Sequence, residues 1–347
     1  MASKWFVVKR LLLLVPVLLG VATLVFAVLH ISPGDPARVM AGQRASQEQV
    51  EMVRQEIGLS DPIWVQYGRF LADTAQLKLG ESYVLRPNQS VASILKNSIP
   101  TTIELAVYGQ LIGILLGLPL GVISAIKQDS ITDHITRIGA LTGISVPIFW
   151  SGPIVIILFS VTLGIFPTNG RIAQQYFLSD TWLFFGHELP RTGLITLDTL
   201  LLARYDAFVS AVRHLVLPAS VIGFYSMALI SRMMRSSMLE VVRQDYIRTA
   251  RAKGQGERIT FLKHGLKNAF IPVITVIGIQ FGTLLGGAVL TETVFGIEGI
   301  GMILVDAIDV GDYPVVQGTV LVFALLFTLV NLGVDITYSY LDPRIQQ

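Results

Sequence analysis

The sequence predicts an all-α protein embedded in a membrane on six spanning helices, and three observations lead there. Of its 347 residues, 52% are hydrophobic and 14% are charged. Its mean hydropathy is +0.63, which is too apolar for an ordinary water-soluble domain. Its apolar residues also gather into charge-free runs, each able to cross a hydrocarbon layer of about 30 Å. These are residues 11–31, 105–126, 138–166, 215–231, 269–291 and 315–334.

The first run holds fifteen Leu, Ile, Val or Phe residues. At roughly 0.3–0.6 kcal/mol each, they favour insertion by about 4–9 kcal/mol before Pro16, Gly20 and His30 are subtracted. The run is longer than the apolar part of a cleavable leader, so a retained helix is expected. Basic residues then set the orientation. Residues 232–267 carry nine Lys or Arg against three acids, whereas residues 292–314 carry five acids and no base. The basic loop belongs in the cytoplasm. Lys4, Lys9 and Arg10 place the N-terminus there too, and an even number of spans brings Arg344 back to the same side. The chain has no cysteine, so neither a disulfide nor a thiolate metal site forms within it.

The organisation that follows has three parts. Residues 1–31 are the N-terminus and first helix, 32–102 an extracytoplasmic helical lobe, and 103–347 a core of five further spans. The core contains a cytoplasmic loop, 236–268, and an external insert, 167–214. In the lobe, Ser46 and Gln49 have capping-box spacing, and Gly58 is placed to end the helix they begin. Asp61 and Pro62 read as N-cap and first helical residue for IWVQYGRFL. The insert shows no clear period, and its structure stays open.

The cytoplasmic loop is the most distinctive stretch. Leu239, Val242, Tyr246 and Ala250 recur at helical spacing, predicting a short amphipathic helix that runs to about Lys253. Gly254 and Gly256 interrupt it. Ile259, Leu262, Leu266 and Ala269 then resume a helical stripe into the next span. Helix, sharp turn, helix is the product. Small residues at the turn suit a knob that seats in a groove of another protein, and a basic helix lying on anionic headgroups is the alternative.

The sequence RTARAKG followed by HGLKNAFIP resembles the EAA loop of ABC-importer permeases, the bend that docks on an ATPase subunit. The likeness extends through HISPGDPA, IGLSDPIWVQYGRFL, LGESY, PTTIELA, SVPIFW, HLVLPA, RMMRSSMLEV, ETVFGIEGIGMILVDAIDVGDYPVVQG and YLDPRI. Together these are similar to the B-type permease subunit of dipeptide, oligopeptide and nickel importers. Two departures from the general loop pattern stand out, Arg248 in place of glutamate and Lys267 in place of proline.

The resemblance implies a type I importer permease fold of the MetI-like kind in a prokaryotic cytoplasmic membrane. It implies that Asp245, Tyr246, Arg248, Thr249, Ala250, Ala252, Lys253 and Gly254 form the coupling helix and turn. It also implies a homologous second permease, two ABC ATPase subunits, an extracytoplasmic binding protein and a peptide substrate, with no nucleic acid. Nickel chelates, glutathione and oligosaccharides remain alternative substrates. No cofactor is expected on this chain, because ATP and Mg would bind the ATPase subunits. The sequence agrees, since it lacks a G-x-x-x-x-G-K-S/T phosphate loop. GIEGIG, residues 296–301, reads as tight turns in a re-entrant external loop.

Polar residues inside the spans are costly to leave facing lipid, so Tyr108, Gln110, Ser145, Ser151, Gln280, Thr283 and Asn331 are candidates for the pore lining. Hydrogen bonding between packed helices is the alternative for each. Glu292, Glu298, Asp306, Asp309 and Asp312 make the loop after the fifth span acidic and available to a binding protein or a substrate amine. An intramembrane enzyme would need a catalytic set. The five histidines form no H-E-x-x-H pair, and no G-x-S-x-G occurs. A channel would have no use for a docking bend.

Overall fold

The computed structural model describes residues 4–341 except 32–34, 43, 177, 179–180 and 185–186; Arg344 and most of YLDPRI lie outside the described residues. The chain is helical almost throughout. Helix α1 (Lys4–Ile31) leads to three lobe helices, α2 (Pro36–Ala41), α3 (Gln47–Glu56) and α4 (Ile63–Ala75). The capping box at Ser46 and Gln49 forms in both directions, and Gly58 takes the left-handed conformation, φ +73°. One detail is corrected. Pro62, not Asp61, is the N-cap of α4, because the Asp61 carboxylate is taken by Arg69 at 2.6 Å.

The core begins with α5 (Val91–Ile126), followed by α6 (Ile131–Ser145) and α7 (Ile148–Val155), which runs on as π-helix through residue 162. The expected third span is therefore not one straight helix. α6 and the segment after it are bent by 105° at Val146 and Pro147. Proline has no N–H to give and drives the residue before it out of helical geometry, and Val146 is extended at ψ 122°.

The insert holds the one sheet among the described residues and so departs from a purely helical chain. β1 (Thr181–Phe184) and β2 (His187–Pro190) pair antiparallel, with Thr181 opposite Pro190. Helix α8 (Ile195–Leu201) completes the insert. Helix α9 (Tyr205–Val242) begins well before the apolar run it contains, and its first turns lie in the segment read as insert. After the bend come α12 (Leu266–Phe295), α13 (Ile300–Val310) and α14 (Tyr313–Leu341). Among the described residues, five helices are each long and apolar enough to cross a membrane; the bent third segment passes the same test as a sixth, and so does the pair 288–295 and 300–310, bent by 79° after the fifth.

Helices α5 and α9 run parallel and touch along a seam of glycines. A Cβ added at Gly109 would lie 2.5 Å from Ile222, at Gly113 2.6 Å from Ser226, and at Gly121 2.6 Å from Met234. At Gly117 it would meet the Met227 carbonyl at 2.9 Å. Contacts step four residues along both helices together, so the axes stay in register over about 18 Å. Lipid tails are as apolar as leucine, so close backbone approach supplies the attraction that burial supplies in water. α12 closes over this pair, with Leu105, Ala106, Ala219, Ile222, Leu284 and Ala288 in one buried cluster.

The lobe is held to the core by a buried carboxylate. One oxygen of Asp312, in the α13–α14 turn, accepts from the Ser82 hydroxyl at 2.6 Å and from the Val84 and Leu85 amides at 3.0 Å each. Asp312 is fully buried. The expectation that it meets an external protein is thus corrected, since the carboxylate is buried within the chain and one of its oxygens is held by lobe donors. Burial pushes its pKa up, but the bonds from Ser82 and the backbone amides outweigh that and hold it below the usual carboxylate range.

Two outcomes are expected. Gly113→Leu should lower the thermal midpoint of the purified protein by several degrees, an overpacking cost of about 1–3 kcal/mol, whereas Gly139→Ala, where a Cβ meets nothing within 4 Å, should leave it unchanged or slightly raised. Because the folded-state pKa of Asp312 is depressed, its stabilising contribution is present above the unfolded value of about 3.9 and is lost as pH falls through the folded one. Protection factors of the Val84 and Leu85 amides should hold from neutral pH to about 5 and decline below about 4, a decline that Asp312→Asn should abolish.

Candidate functional site

The bend between α9 and α12 is built by a break in phase. α9 ends at Val242, and Gln244, extended at ψ 150°, starts the short helix α10 (Asp245–Ala252). The amphipathic helix expected to run unbroken from Leu239 to Lys253 is thus divided, and its stripe does not carry across. Ile247 is the fully buried residue of α10, with Ala250 beside it, while Tyr246 is 42% exposed. Leu239 belongs to α9 and packs with Met234, Met238, Ala269 and Val273.

Lys253 caps α10, and Gly254 takes φ +78° with open space where a side chain would stand. Only glycine adopts that conformation without cost. Gly256 differs from the expectation, because its φ of −62° and ψ of 148° suit any residue. A short helix, α11 (Glu257–Ile259), and a π-helical turn over residues 260–265 lead into α12. The π turn inserts an extra residue into the helical phase. Ile259 and Leu262 are more than half exposed and Thr260 and Gly265 face inward, while Leu266 and Ala269 of the expected stripe pack on the core.

Side chains brace the bend. Asn268 donates to the Tyr246 hydroxyl at 2.9 Å and to the His264 carbonyl at 3.1 Å. Arg251 donates to both Glu257 oxygens at 3.0 and 3.3 Å and lies 5.6 Å from the Phe261 ring centre. Of the eight residues assigned to coupling, Ala250 alone faces inward; Asp245, Tyr246, Arg248, Thr249, Ala252, Lys253 and Gly254 are at the surface. The arrangement is a small knob, pinned from beneath by Ile247 and braced to the foot of α12.

The polar residues of the spans divide among separate places. Gln110 is buried between α5, α9 and α12, donating to the Ile277 carbonyl and accepting from Ser226. Gln280 is also buried, and its amide nitrogen is unpartnered. Tyr108 donates to Thr196 of the insert at 3.0 Å. Ser145 and Ser151 flank the α6–α7 break. Ser151 donates to the Ile148 carbonyl and lines a mostly apolar cavity of about 470 Å³ with Phe159, Ser220, Phe224 and Tyr225. Thr283 is exposed and bonded within its own helix, and Asn331 is half-buried.

The acidic loop also divides. Glu292 is fully buried, accepting from Thr102 at 2.6 Å and from the Gly301 and Met302 amides at 2.8 and 3.0 Å. The Thr102 hydroxyl accepts from the Ile300 amide, so all three open amides at the start of α13 are satisfied. This corrects Glu292 from an external contact to a helix cap, and it explains GIEGIG. Gly296 turns the chain at φ +58°, and a Cβ on Gly299 would lie 2.2 Å from the Glu292 carboxylate. Glu298 is exposed and pairs with Arg86 of the lobe. Asp309 is exposed and Asp306 half-buried.

Two buried acids that fasten separate elements also escaped the sequence reading. Glu104 accepts from the Thr196 amide and hydroxyl and from Arg171, fastening the insert onto α5. Asp133 pairs with Arg235, fastening α6 to α9. A lone charge at the edge of an apolar run was the available signal for both.

Comparison with known proteins accords with this architecture. The family described as binding-protein-dependent transport system inner membrane component matches residues 117–347, and the description of its N-terminal part matches residues 4–106. The dipeptide transport system permease protein DppB of Alkalihalophilus pseudofirmus is 42% identical, covering 98% of this chain and 99% of that one. The di/tripeptide transport system permease protein DppB of Pseudomonas aeruginosa is 45% identical, covering 98% of each. Among solved structures, the inward-facing MetNI methionine ABC transporter (CY5 native crystal form) aligns with a TM-score of 0.53 at 18% identity. That alignment covers 72% of this chain and 97% of that one, and at that identity it speaks for the fold alone. With a family match over most of its length and relatives similar from end to end, the chain belongs to the binding-protein-dependent transport system inner membrane components and has their permease fold.

Proposed function

We propose that the chain is one half of the translocation pore of an ATP-driven importer of di- and oligopeptides. It pairs with a homologous second permease and receives energy through the knob at residues 245–254 from one of two ATPase subunits that bind the ATP and Mg. An extracytoplasmic binding protein delivers the peptide, and Asp306, Asp309 and the exposed Glu298, which pairs with Arg86, are the acids at the surface to meet it or a substrate amine. The termini and the knob lie in the cytoplasm. The observation that carries the substrate is the end-to-end likeness to relatives whose names specify dipeptides and di/tripeptides.

Mechanically, the reading rests on how α10 is attached. Ile247 and Ala250 are buried, α10 follows α9 directly and packs on the π turn that leads into α12, and Asn268 of α12 donates to Tyr246. Displacement of the knob therefore moves α9 and α12 as packed bodies, since close-packed interiors transmit strain rather than absorb it. No fixed charge stands among the seven polar residues expected along the path. Such a lining suits release of peptides with varied side chains, selectivity being left to the binding protein.

Uptake of labelled dipeptide into cells whose own permease is deleted tests this. Gly254→Glu should reach the membrane in normal amount, because a side chain there meets open space, yet lower uptake at least about tenfold, as left-handed strain and an added charge act on the docking turn. Gly256→Ala should transport as the parent does. Equal uptake by the Gly254→Glu protein would remove the coupling role, and uptake of nickel chelates or sugars in place of peptides would remove the substrate.

A further inference from the structure

A cavity of about 330 Å³ opens between α6 and α9 at the end of the molecule nearest the bend, lined by Arg137, Arg232, Arg235, Ser231 and Ser236. Arg235 donates Nε and Nη2 to the two oxygens of Asp133, each at 2.7 Å. Asp133 is itself fully buried and further held by Ser124 and the Asp129 amide. Its grip fixes the Arg235 guanidinium at the cavity wall and leaves Nη1 outside the fork. Arg137 and Arg232 enter no hydrogen bond or ion pair among the described residues. Three guanidinium groups thus meet at one opening, with Asp133 and the neighbouring Asp129 as the opposing charges.

Apolar residues complete the lining. They are Ala140, Leu141 and Ile144, and they continue into an uncovered stripe on α6, where Ile131, Ile135, Ile138 and Leu141 are each 57–79% exposed. Of these, Ile138, Leu141 and Ile144 lie farther along α6 than Arg137, toward the middle of the membrane, whereas Ile131 and Ile135 lie nearer its end. That order matches a phospholipid, whose phosphate a guanidinium fork recognises and whose chains prefer the apolar stripe. Basic pockets between helices at the cytoplasmic surface favour anionic headgroups over zwitterionic ones.

We propose that this cavity binds the phosphate of an anionic phospholipid, with the acyl chains lying along the exposed isoleucine face of α6. Its assignment to the cytoplasmic leaflet rests on the orientation given under the proposed function. Because α6 and α9 meet here just before α9 turns into the knob, bound lipid would stiffen the support of that knob.

The test uses the full chain with its co-purifying subunits, delipidated and reconstituted in nanodiscs of phosphatidylcholine with graded phosphatidylglycerol, and native mass spectrometry of the lipid retained. The parent should retain phosphatidylglycerol in preference to phosphatidylcholine. The double variant Arg137→Gln with Arg232→Gln should retain roughly tenfold less or lower still, and Arg137→Lys with Arg232→Lys should keep part of it. Arg235 is left unchanged so that Asp133 keeps its partner. Equal retention in parent and Gln variant, no preference for the anionic lipid, or displacement of lipid by inorganic phosphate would each overturn the proposal, the last in favour of a soluble anion. Retention only after the other subunits are stripped away would overturn it too, by showing that a subunit covers the face. Loss of lipid with ATPase subunits still bound separates this result from a failure of docking.

Discussion

The seam of glycines between α5 and α9 is the constraint on which the other helices depend. Gly109, Gly113, Gly117 and Gly121 bring one backbone against the next so closely that a single methyl at any of them would meet a neighbour at 2.9 Å or less. In lipid no solvent pushes apolar faces together, so contact area and dispersion at short range hold helices in place. Gly223 of α9 answers from the other side, 2.7 Å from the Gly109 carbonyl where its Cβ would be. α12 can cover both helices at once because the seam keeps them parallel and in step. The bend that follows α9 takes its position from the same alignment.

Around this scaffold, four buried carboxylates act as clasps. Glu104 holds the insert, Asp133 holds α6, Glu292 holds the start of α13, and Asp312 holds the lobe. Each is supplied with hydroxyl, amide or guanidinium donors, as a buried charge requires. Each also joins segments that would otherwise be free to slide. In every case the partner lies on another element, and for Glu292 and Asp312 it lies nearly two hundred residues or more away in sequence. Their shared effect is that peripheral parts move with the core and not independently of it.

The knob itself is legible in part. Its existence, its left-handed glycine and its surface residues follow from local sequence, because capping and turn chemistry act within a few residues. Its facing does not. The two expected stripes fail at Tyr246 and at Leu262, where the chain breaks at residues 243–244 and gains a π turn at 260–265. Either event rotates every following side chain, and neither leaves a compositional mark. Gln110 tells a similar story for the membrane interior, since its polarity is spent on Ser226 and the Ile277 carbonyl, an outcome that depends on which helices pack beside it.

By itself, the sequence determined the membrane class, the long apolar helices, the helical lobe with its Ser46 cap, and the bend with its left-handed Gly254. Hydrophobic length, capping and turn preference are properties of short stretches, and they survive whatever the rest of the chain does. Even the four-residue spacing of the glycines on α5 was open to view, although not the helix they meet. Only the tertiary structure decided that Glu292 and Asp312 turn inward, that Gly299 stands aside for a carboxylate, and that Arg235 is fixed beside two unpaired arginines. The reason is physical. A charge is buried or exposed according to the donors that distant segments bring to it, and those distances exist only once the helices have packed.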